Sequence, residues 1–553
     1  MVEAIFELLV PLVVAAVIDQ GIAKGDTVLA VKMVLILGAL ALVGLVCAVT
    51  AQFYAAKAAI CFASDLRRAV FAHIKKFSYT ELDKIGSATL ITRLTSDLNQ
   101  IQNGVNMILR LFLRSPFIVF GAMIMAFTID AKSAVIFAVT IVILSVIVFG
   151  IMLACIPLYK KTQGCLDGVL GLTKENLSGT RVIRAFCKEN DEIKDFKDKN
   201  DLLTALQNFT GRISALMNPL TLLTVNFAVI VLIYTGALGV ESGRLTTGQV
   251  VALYNYLSQI LVELVKLANL IILITKTAAC GDRIEAIFET APSLVFPDKN
   301  VDIGNSEYIL ELENVGLRYK GASKQSLSDI SFKVKAGETV GIIGGTGSGK
   351  TSLVNTIARF YDTENGSIKL FGTDIKKYPQ NQLRSYFGIV PQNAVLFKGS
   401  VRDNIRWGKP DADDNDIFAA LKAAQALEFV EKKDGGLGFM IEQGGKNLSG
   451  GQRQRMTIAR AIVGEPDILI LDDSSSALDF STDAKLRSAV NKMFADKTVF
   501  IVSQRTSSIM HADRIIVLDD GKAVGIGTHD ELLKTCAVYR EIYDLQFKKE
   551  AVS

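Results

Sequence analysis

Histidine is scarce in this chain, with three among 553 residues, at His73, His511 and His529. The seven cysteines (Cys47, Cys61, Cys155, Cys165, Cys187, Cys280, Cys536) lack the paired spacing of a metal site, and several lie in apolar runs where a thiol acts as a small hydrophobe. This excludes a disulfide framework and a cysteine–histidine metal centre. Charge of one sign is also missing. The 60 lysines and arginines nearly balance 56 aspartates and glutamates, leaving a formal charge of +4, so no nucleic-acid partner held by a broad basic surface is expected. No basic segment precedes the first apolar run and no small-residue cleavage motif closes it, so that run is read as a retained membrane helix and not a signal peptide. Without short-period repeats or low-complexity tracts, solenoid and disordered-tail readings gain no support.

Half of the residues are hydrophobic and the mean hydropathy is +0.35, too apolar for a soluble chain of this length. Runs long enough to cross a bilayer lie at 33–51 and 134–157, with less pure ones near 111–129, 217–240 and 250–274. The opening run at 4–18 brings the expected number of spans to six; it carries Glu7 and Pro11 and reads as the second half of a helix whose beginning is absent. Links after the first, third and fifth spans are brief. Those after the second and fourth are long and basic, with Arg67, Arg68, Lys75, Lys76 and Lys84 in one and Lys160, Lys161, Lys174, Arg181, Arg184 and Lys188 in the other. The positive-inside tendency places them, and both chain ends, in the cytosol. They read as helices continuing out of the membrane, broken near 78–85 and 178–180. A polar linker with Pro292, Pro297, Asp298, Asn300 and Gly304 follows, and β-type alternation begins at Tyr308. The expected division is a transmembrane domain at 1–288, a linker at 289–307 and a second domain at 308–553.

In the second domain, the strand-like run 340–343 leads into Gly344-Gly345-Thr346-Gly347-Ser348-Gly349-Lys350-Thr351, and Ser352 continues as a helix. This strand, loop and helix order is what a phosphate-binding loop requires. The glycines let backbone amides face phosphates at a helix N-terminus, Lys350 supplies a point charge, and Thr351 offers a hydroxyl to magnesium. A second motif, Leu448-Ser449-Gly450-Gly451-Gln452-Arg453-Gln454-Arg455, is followed by the apolar strand 468–471 and by Asp472 and Asp473.

The phosphate loop and this second motif in one chain resemble the ATP-binding cassette family, whose sites are composites of two cassettes. The resemblance covers nearly the whole chain and implies a half-exporter: an all-α membrane domain of six helices with long cytosolic extensions, fused to an α/β phosphate-loop ATPase domain. It implies ATP and Mg2+ as cofactors, with Thr351, Gln392 and Asp472 at the metal, Asp472 acting through its water shell. Tyr319 takes the place of the aromatic that stacks on adenine. Gln392 matches the mobile glutamine that reaches magnesium and the attacking water. Leu448, Ser449, Gly450, Gly451 and Gln452 would meet the partner's nucleotide. Glu442 matches a segment that touches the coupling helices, the role implied for the breaks near 78–85 and 178–180. Asp479, closing Ser476-Ala477-Leu478-Asp479, belongs to the loop that communicates between sites.

Two positions depart from the family pattern. Asp473 stands where a glutamate normally polarises the attacking water; it is shorter by one methylene, about 1 Å of reach, and such misplacement can cost ~100-fold in rate. Gln504 stands where a histidine normally contacts the γ-phosphate, and glutamine has no cationic form. Together they match the degenerate-site subunit of a bacterial heterodimeric multidrug or lipid exporter, in which Asp473, Gln504 and Gln392 form a slow catalytic set. The expected partner is a different half-exporter with glutamate and histidine intact. The expected cargo is an amphiphilic small molecule or lipid, and the expected location is the bacterial plasma membrane with the cassette in the cytoplasm. A homodimeric exporter with slow hydrolysis, and an ATP-binding regulatory or pore subunit, stand as alternatives. An importer is disfavoured, because most importers carry the cassette on a separate chain. In the last span, Glu263 and Lys266 are spaced to pair, with lining of a pathway for cationic amphiphiles as the sharper alternative for Glu263. Arg110 and Arg114 are read as snorkelling or pairing with neighbouring helices.

Overall fold

A computed structural model of the chain describes residues 2–302, 304, 306–474 and 478–547. The chain divides into two compact units, Met1–Lys75 with Ala88–Glu289, and Lys76–Ser87 with Thr290–Ser553.

The first unit is helical. Five helices among the described residues are long and apolar enough to cross a membrane: Thr27–Ile74, Ser87–Ile129, Ala131–Ser178, Glu189–Glu241 and Thr247–Glu289. The expected sixth falls short. Its α-helix covers only the 15 residues Val2–Ala16 before a π-turn at Val17–Ile22, about 22 Å of rise against a hydrocarbon core of about 30 Å. Helix Ala131–Ser178 has 48 residues, about 72 Å, so much of it stands outside any bilayer. The brief links are efficient because each ends in a cap: Asp26 accepts from the Leu29 amide at 2.9 Å and Asp130 from the Ser133 amide at 2.9 Å, satisfying donors a helix start leaves open. Both expected breaks hold short helices, Tyr79–Ile85 and Thr180–Ala185. The former opens on a capping box in which Glu81 accepts from the Ser78 amide at 2.9 Å.

The second unit is α/β. Its strands are β1 (Tyr308–Leu317), β2 (Leu327–Lys335), β3 (Thr339–Gly344), β4 (Asn365–Leu370), β5 (Thr373–Asp374), β6 (Phe387–Val390), β7 (Gly399–Ser400), β8 (Met440–Ile441), β9 (Ile468–Asp472), β10 (Thr498–Val502), β11 (Arg514–Asp519) and β12 (Lys522–Gly527). A six-stranded sheet runs β12-β11-β3-β10-β9-β6, parallel except at β12, beside an antiparallel sheet β2-β1-β4-β5 and the pair β7-β8. The central strands are apolar throughout because both their faces are covered. Ile468, Ile470, Phe500 and Val502 enter one core with the antiparallel sheet, while Leu469, Leu471, Val499 and Ile501 enter the other with the helices of residues 401–463. That two-sided burial fixes the register, and the register places the strand ends on which the site is built.

Candidate functional site

Four neighbouring parallel strands deliver the site from one edge, outside their carboxyl ends, where open α/β sheets bind ligands. β3 ends at Gly344 and feeds the phosphate loop; its neighbour β10 feeds Gln504, β9 ends at Asp472 and feeds Asp473, and β6 feeds Gln392. Val502 pairs with both Ile342 and Asp472, which aligns the three central ends. A cavity of about 400 Å³ forms there, lined by Thr346, Gly347, Gly349, Lys350, Thr351, Ser352, Gln392, Asp472, Asp473 and Gln504.

The loop 344–349 bends through Gly347 at φ +82° and Gly349 at φ +99°, and helix Lys350–Ile357 starts directly after it. Lys350 folds back over the loop, its Nζ donating to the carbonyls of Gly344 at 2.9 Å and Gly345 at 2.7 Å. Burial lowers its pKa, opposed by the charges of Asp473 and Asp472. Asp472 is buried, 5% exposed, and accepts a hydrogen bond from Thr351; burial pushes its carboxyl up, helped by the charge of Asp473 and opposed by Lys350. Asp473 is raised by burial too, opposed by a hydrogen bond from Gln392 and by the charges of Lys350 and Arg505. Its amide donates to the Val502 carbonyl at 3.0 Å and its φ is +45°.

Thr351, Asp472 and Gln392 converge here with hard oxygen atoms of the kind Mg2+ prefers. No group of three or more histidine, cysteine, aspartate or glutamate side chains placed to hold a metal ion occurs among the described residues. A Mg2+ here would therefore draw its remaining ligands from water and nucleotide phosphates, its usual habit in such sites.

Tyr319 stands beside this cavity without lining it. Its hydroxyl shares a 2.9 Å hydrogen bond with Ser352, and its ring meets that of Tyr361 edge-on at 5.0 Å, facing an adjoining cavity of about 420 Å³. The second motif lies elsewhere. None of Leu448, Ser449, Gly450, Gly451 or Gln452 lines the phosphate-loop cavity. Ser449 caps helix Gly450–Ile462 in a capping box with Gln452, whose Oε1 accepts from the Ser449 amide at 3.0 Å, and Ser449 and Gly450 are exposed. Glu442 is exposed as well. Asp479 caps helix Phe480–Met493 by accepting from the Thr482 amide at 3.1 Å, while Ser476 and Ala477 lie outside the described residues.

Sequence reasoning missed Lys324, Gln325, Ser326, Asp520 and Gly521, which close the cavity's other wall. Lys324 and Asp520 form an exposed ion pair at 2.6 Å across a separation of 196 residues, and no local spacing signals such a meeting.

In the helical unit, Glu263 is 2% exposed, paired with Lys266 at 2.7 Å and accepting from Ser115 Oγ at 2.6 Å. The pairing expectation thus describes its state, and each carboxylate oxygen has a partner. Arg114 pairs with Glu7 at 2.9 Å and Glu3 at 3.3 Å, tying helix Val2–Ala16 to its neighbour.

Comparisons with known proteins match both parts of the chain. The family described as ABC transporter transmembrane region matches residues 1–264, and that described as ABC transporter matches residues 327–476. The chain is 36% identical over 545 residues to an uncharacterised ABC transporter ATP-binding protein of Mycobacterium tuberculosis, covering 98% of this chain and 93% of that protein. It is 32% identical over 482 residues to an ATP-dependent lipid A-core flippase of Desulfotalea psychrophila, covering 87% and 84%. To a putative multidrug export ATP-binding/permease protein of Bacillus subtilis it is 32% identical over 500 residues, covering 90% and 85%. The solved structure of a bacterial Atm1-family ABC exporter with ATP bound shares its fold, with a TM-score of 0.82 at 22% identity over 98% of this chain and 97% of that one. The chain belongs to the ABC transporter family, with an N-terminal membrane domain fused to an ABC ATPase domain.

Proposed function

We propose that this chain is one half of a dimeric exporter that uses ATP to expel or flip hydrophobic or amphiphilic molecules, of drug or lipid type, across a bacterial plasma membrane. In this reading its own ATP site is degenerate. One observation carries the reading: the cavity joins an intact cradle of Lys350, Thr351 and Asp472 to Asp473 and Gln504, and the chain's own second motif is absent from it. Binding groups are complete, the groups for water activation and γ-phosphate contact are altered, and closure over the nucleotide falls to a second chain. Lys350 meets the phosphates, Thr351 and Asp472 hold Mg2+ with Gln392 nearby, and Tyr319 stacks on the base. Asp473 orients water from a shorter stem. Ser449 and Gly451, at a helix N-terminus, meet the γ-phosphate on the partner. The cargo class follows the names of two relatives, an ATP-dependent lipid A-core flippase and a putative multidrug export ATP-binding/permease protein.

The test is the paired change Asp473→Glu and Gln504→His in the assembled transporter, with single-turnover hydrolysis followed at each site. The two ATP molecules are expected to turn over at rates brought within about 10-fold of each other, given ~100-fold for a misplaced group. Rates as unequal as before would place the asymmetry elsewhere and defeat the proposal. Robust, transport-coupled turnover by this chain alone would favour a homodimer.

A further inference from the structure

We propose that Gln546, in the final helix Ala537–Phe547, is a positioning residue for the nucleotide site. It fixes the turn that presents Gln504, and so sets the preference for a nucleoside triphosphate over a diphosphate. The inference rests on reading the phosphate-loop cavity as an ATP site.

The Gln546 carboxamide is used at both ends on one turn. Its Nε2 donates to the Gln504 carbonyl at 2.7 Å, and its Oε1 accepts from the Thr506 amide at 2.9 Å and the Thr506 hydroxyl at 2.7 Å. These bonds reach across 40 and 42 residues of sequence. The rest of the turn is also pinned. Ser503 donates its amide to the Ile342 carbonyl of β3 at 3.0 Å, Arg505 donates its amide to Ser503 Oγ at 3.0 Å, and Arg487 donates to the Ser507 carbonyl at 2.7 Å. Thr506 is fully buried, whereas Gln504 is exposed and lines the cavity. Gln546 holds the carbonyl side of the Gln504–Arg505 peptide, and Ser503 Oγ holds its amide side. Its helix is a firm base, since Tyr539 is buried and shares a 2.7 Å hydrogen bond with His529 Nδ1, and Tyr543 packs on Phe547 at 4.6 Å.

An uncharged amide at position 504 acts only through hydrogen-bond geometry, which weakens steeply as angle and distance depart from their optimum. A histidine carrying charge tolerates more displacement because Coulomb attraction falls off slowly. A site that relies on glutamine therefore depends more on what holds the backbone, and Gln546 meets that need. The group that Gln504 faces is the one by which ATP and ADP differ, so the effect falls on that difference.

The experiment is equilibrium binding of radiolabelled MgATP and MgADP to the full-length chain, alone and with its partner, for wild type, Gln546→Ala, Gln546→Glu, Gln504→Ala and the double Gln504→Ala/Gln546→Ala. Gln546→Ala is expected to weaken MgATP by about 3- to 10-fold, the scale of one or two lost hydrogen bonds, with MgADP unchanged within about 2-fold. Gln546→Glu keeps the acceptor for Thr506 but sets a carboxylate oxygen, which only accepts, against the Gln504 carbonyl, so it is expected to weaken MgATP at least as much as Gln546→Ala. In the Gln504→Ala background the second change should leave the ATP-to-ADP ratio where it was. Equal weakening of both nucleotides by Gln546→Ala and Gln546→Glu overturns the inference, as does a ratio effect of the same size without Gln504. Wild type binding neither nucleotide would instead overturn the ATP-site reading on which this rests.

Discussion

Gly349 enters its helix at φ +99°, and a Cβ there would stand 2.8 Å from the Ser326 carbonyl oxygen, so alanine meets both backbone strain and a collision. At Gly345, in the same loop, a Cβ would meet nothing within 4 Å. Gly349→Ala is therefore expected to lower stability by about 1–2 kcal/mol and to impair MgATP binding, while Gly345→Ala leaves the melting temperature of the nucleotide-free chain nearly unchanged; thermal unfolding of both variants decides. Asp473 also sits at positive φ, +45°, where aspartate is among the better-tolerated non-glycine types. Asp473→Glu thus gains reach at some cost in backbone fit. Burial raises the carboxyls of Asp472 and Asp473 above their ordinary value near 3.8. Folded chain then binds protons that unfolded chain releases, so stability falls as pH rises from about that ordinary value through the raised folded values. Above those raised values the ionised pair is a standing cost. Asp472→Asn, which removes one charge and keeps an oxygen for Thr351, should raise the melting temperature of the nucleotide-free chain by a few degrees and shrink the further rise with MgATP. A lower melting temperature without nucleotide would contradict this account.

Short helix Tyr79–Ile85 belongs to the same compact unit as the ATPase domain, and aromatic side chains hold it there. Tyr79 stacks on Phe360 at 4.7 Å, and Tyr361 donates its hydroxyl to Asp83 at 2.5 Å. Tyr361 also meets Tyr319, whose hydroxyl bonds Ser352 in the first turn after the phosphate loop. A base stacking on Tyr319 would press on this series of contacts. Tyr361→Phe removes one hydrogen bond and keeps the ring, so amide hydrogen exchange should quicken about 3- to 10-fold across 79–85 and stay unchanged in helix Lys350–Ile357. Exchange unaltered at 79–85 would show that stacking alone holds the helix. The elements on which this depends were partly legible beforehand. The breaks near 78–85 and 178–180, strands β3 and β9 and the phosphate loop follow from periodicity, glycine spacing and apolar runs. The first apolar run was legible as short, and its α-helix covers Val2–Ala16; what composition does not reveal is the π-turn that follows it at Val17–Ile22. Gln546, Lys324 and Asp520 were not legible either, since they come to the site through tertiary contacts across 40 to 196 residues.

At the scale of the whole molecule, the chain carries both the phosphate loop and the second motif, and only the phosphate loop lines the cavity. Ser449 and Gly450 are exposed at the start of helix Gly450–Ile462. If the partner's nucleotide is the faster one, this chain's contribution to turnover runs through that helix start more than through its own Lys350. The two roles separate by mutation. In the assembled transporter, Gly451→Asp sets a negative charge against the partner's γ-phosphate, where like charges repel and the helix dipole no longer helps. It should reduce steady-state ATP hydrolysis by about 100-fold or more, the scale of losing a preorganised donor at the reacting phosphate. Lys350→Ala, which empties this chain's own cradle of its point charge, should abolish MgATP retention here yet leave a larger fraction of turnover than Gly451→Asp does. Steady-state hydrolysis, with nucleotide occupancy counted per dimer, gives the ordering. Equal losses from both changes would mean that two equivalent sites share the work and that Asp473 and Gln504 suffice for hydrolysis. A greater loss from Lys350→Ala would place the faster chemistry in this chain's own cavity.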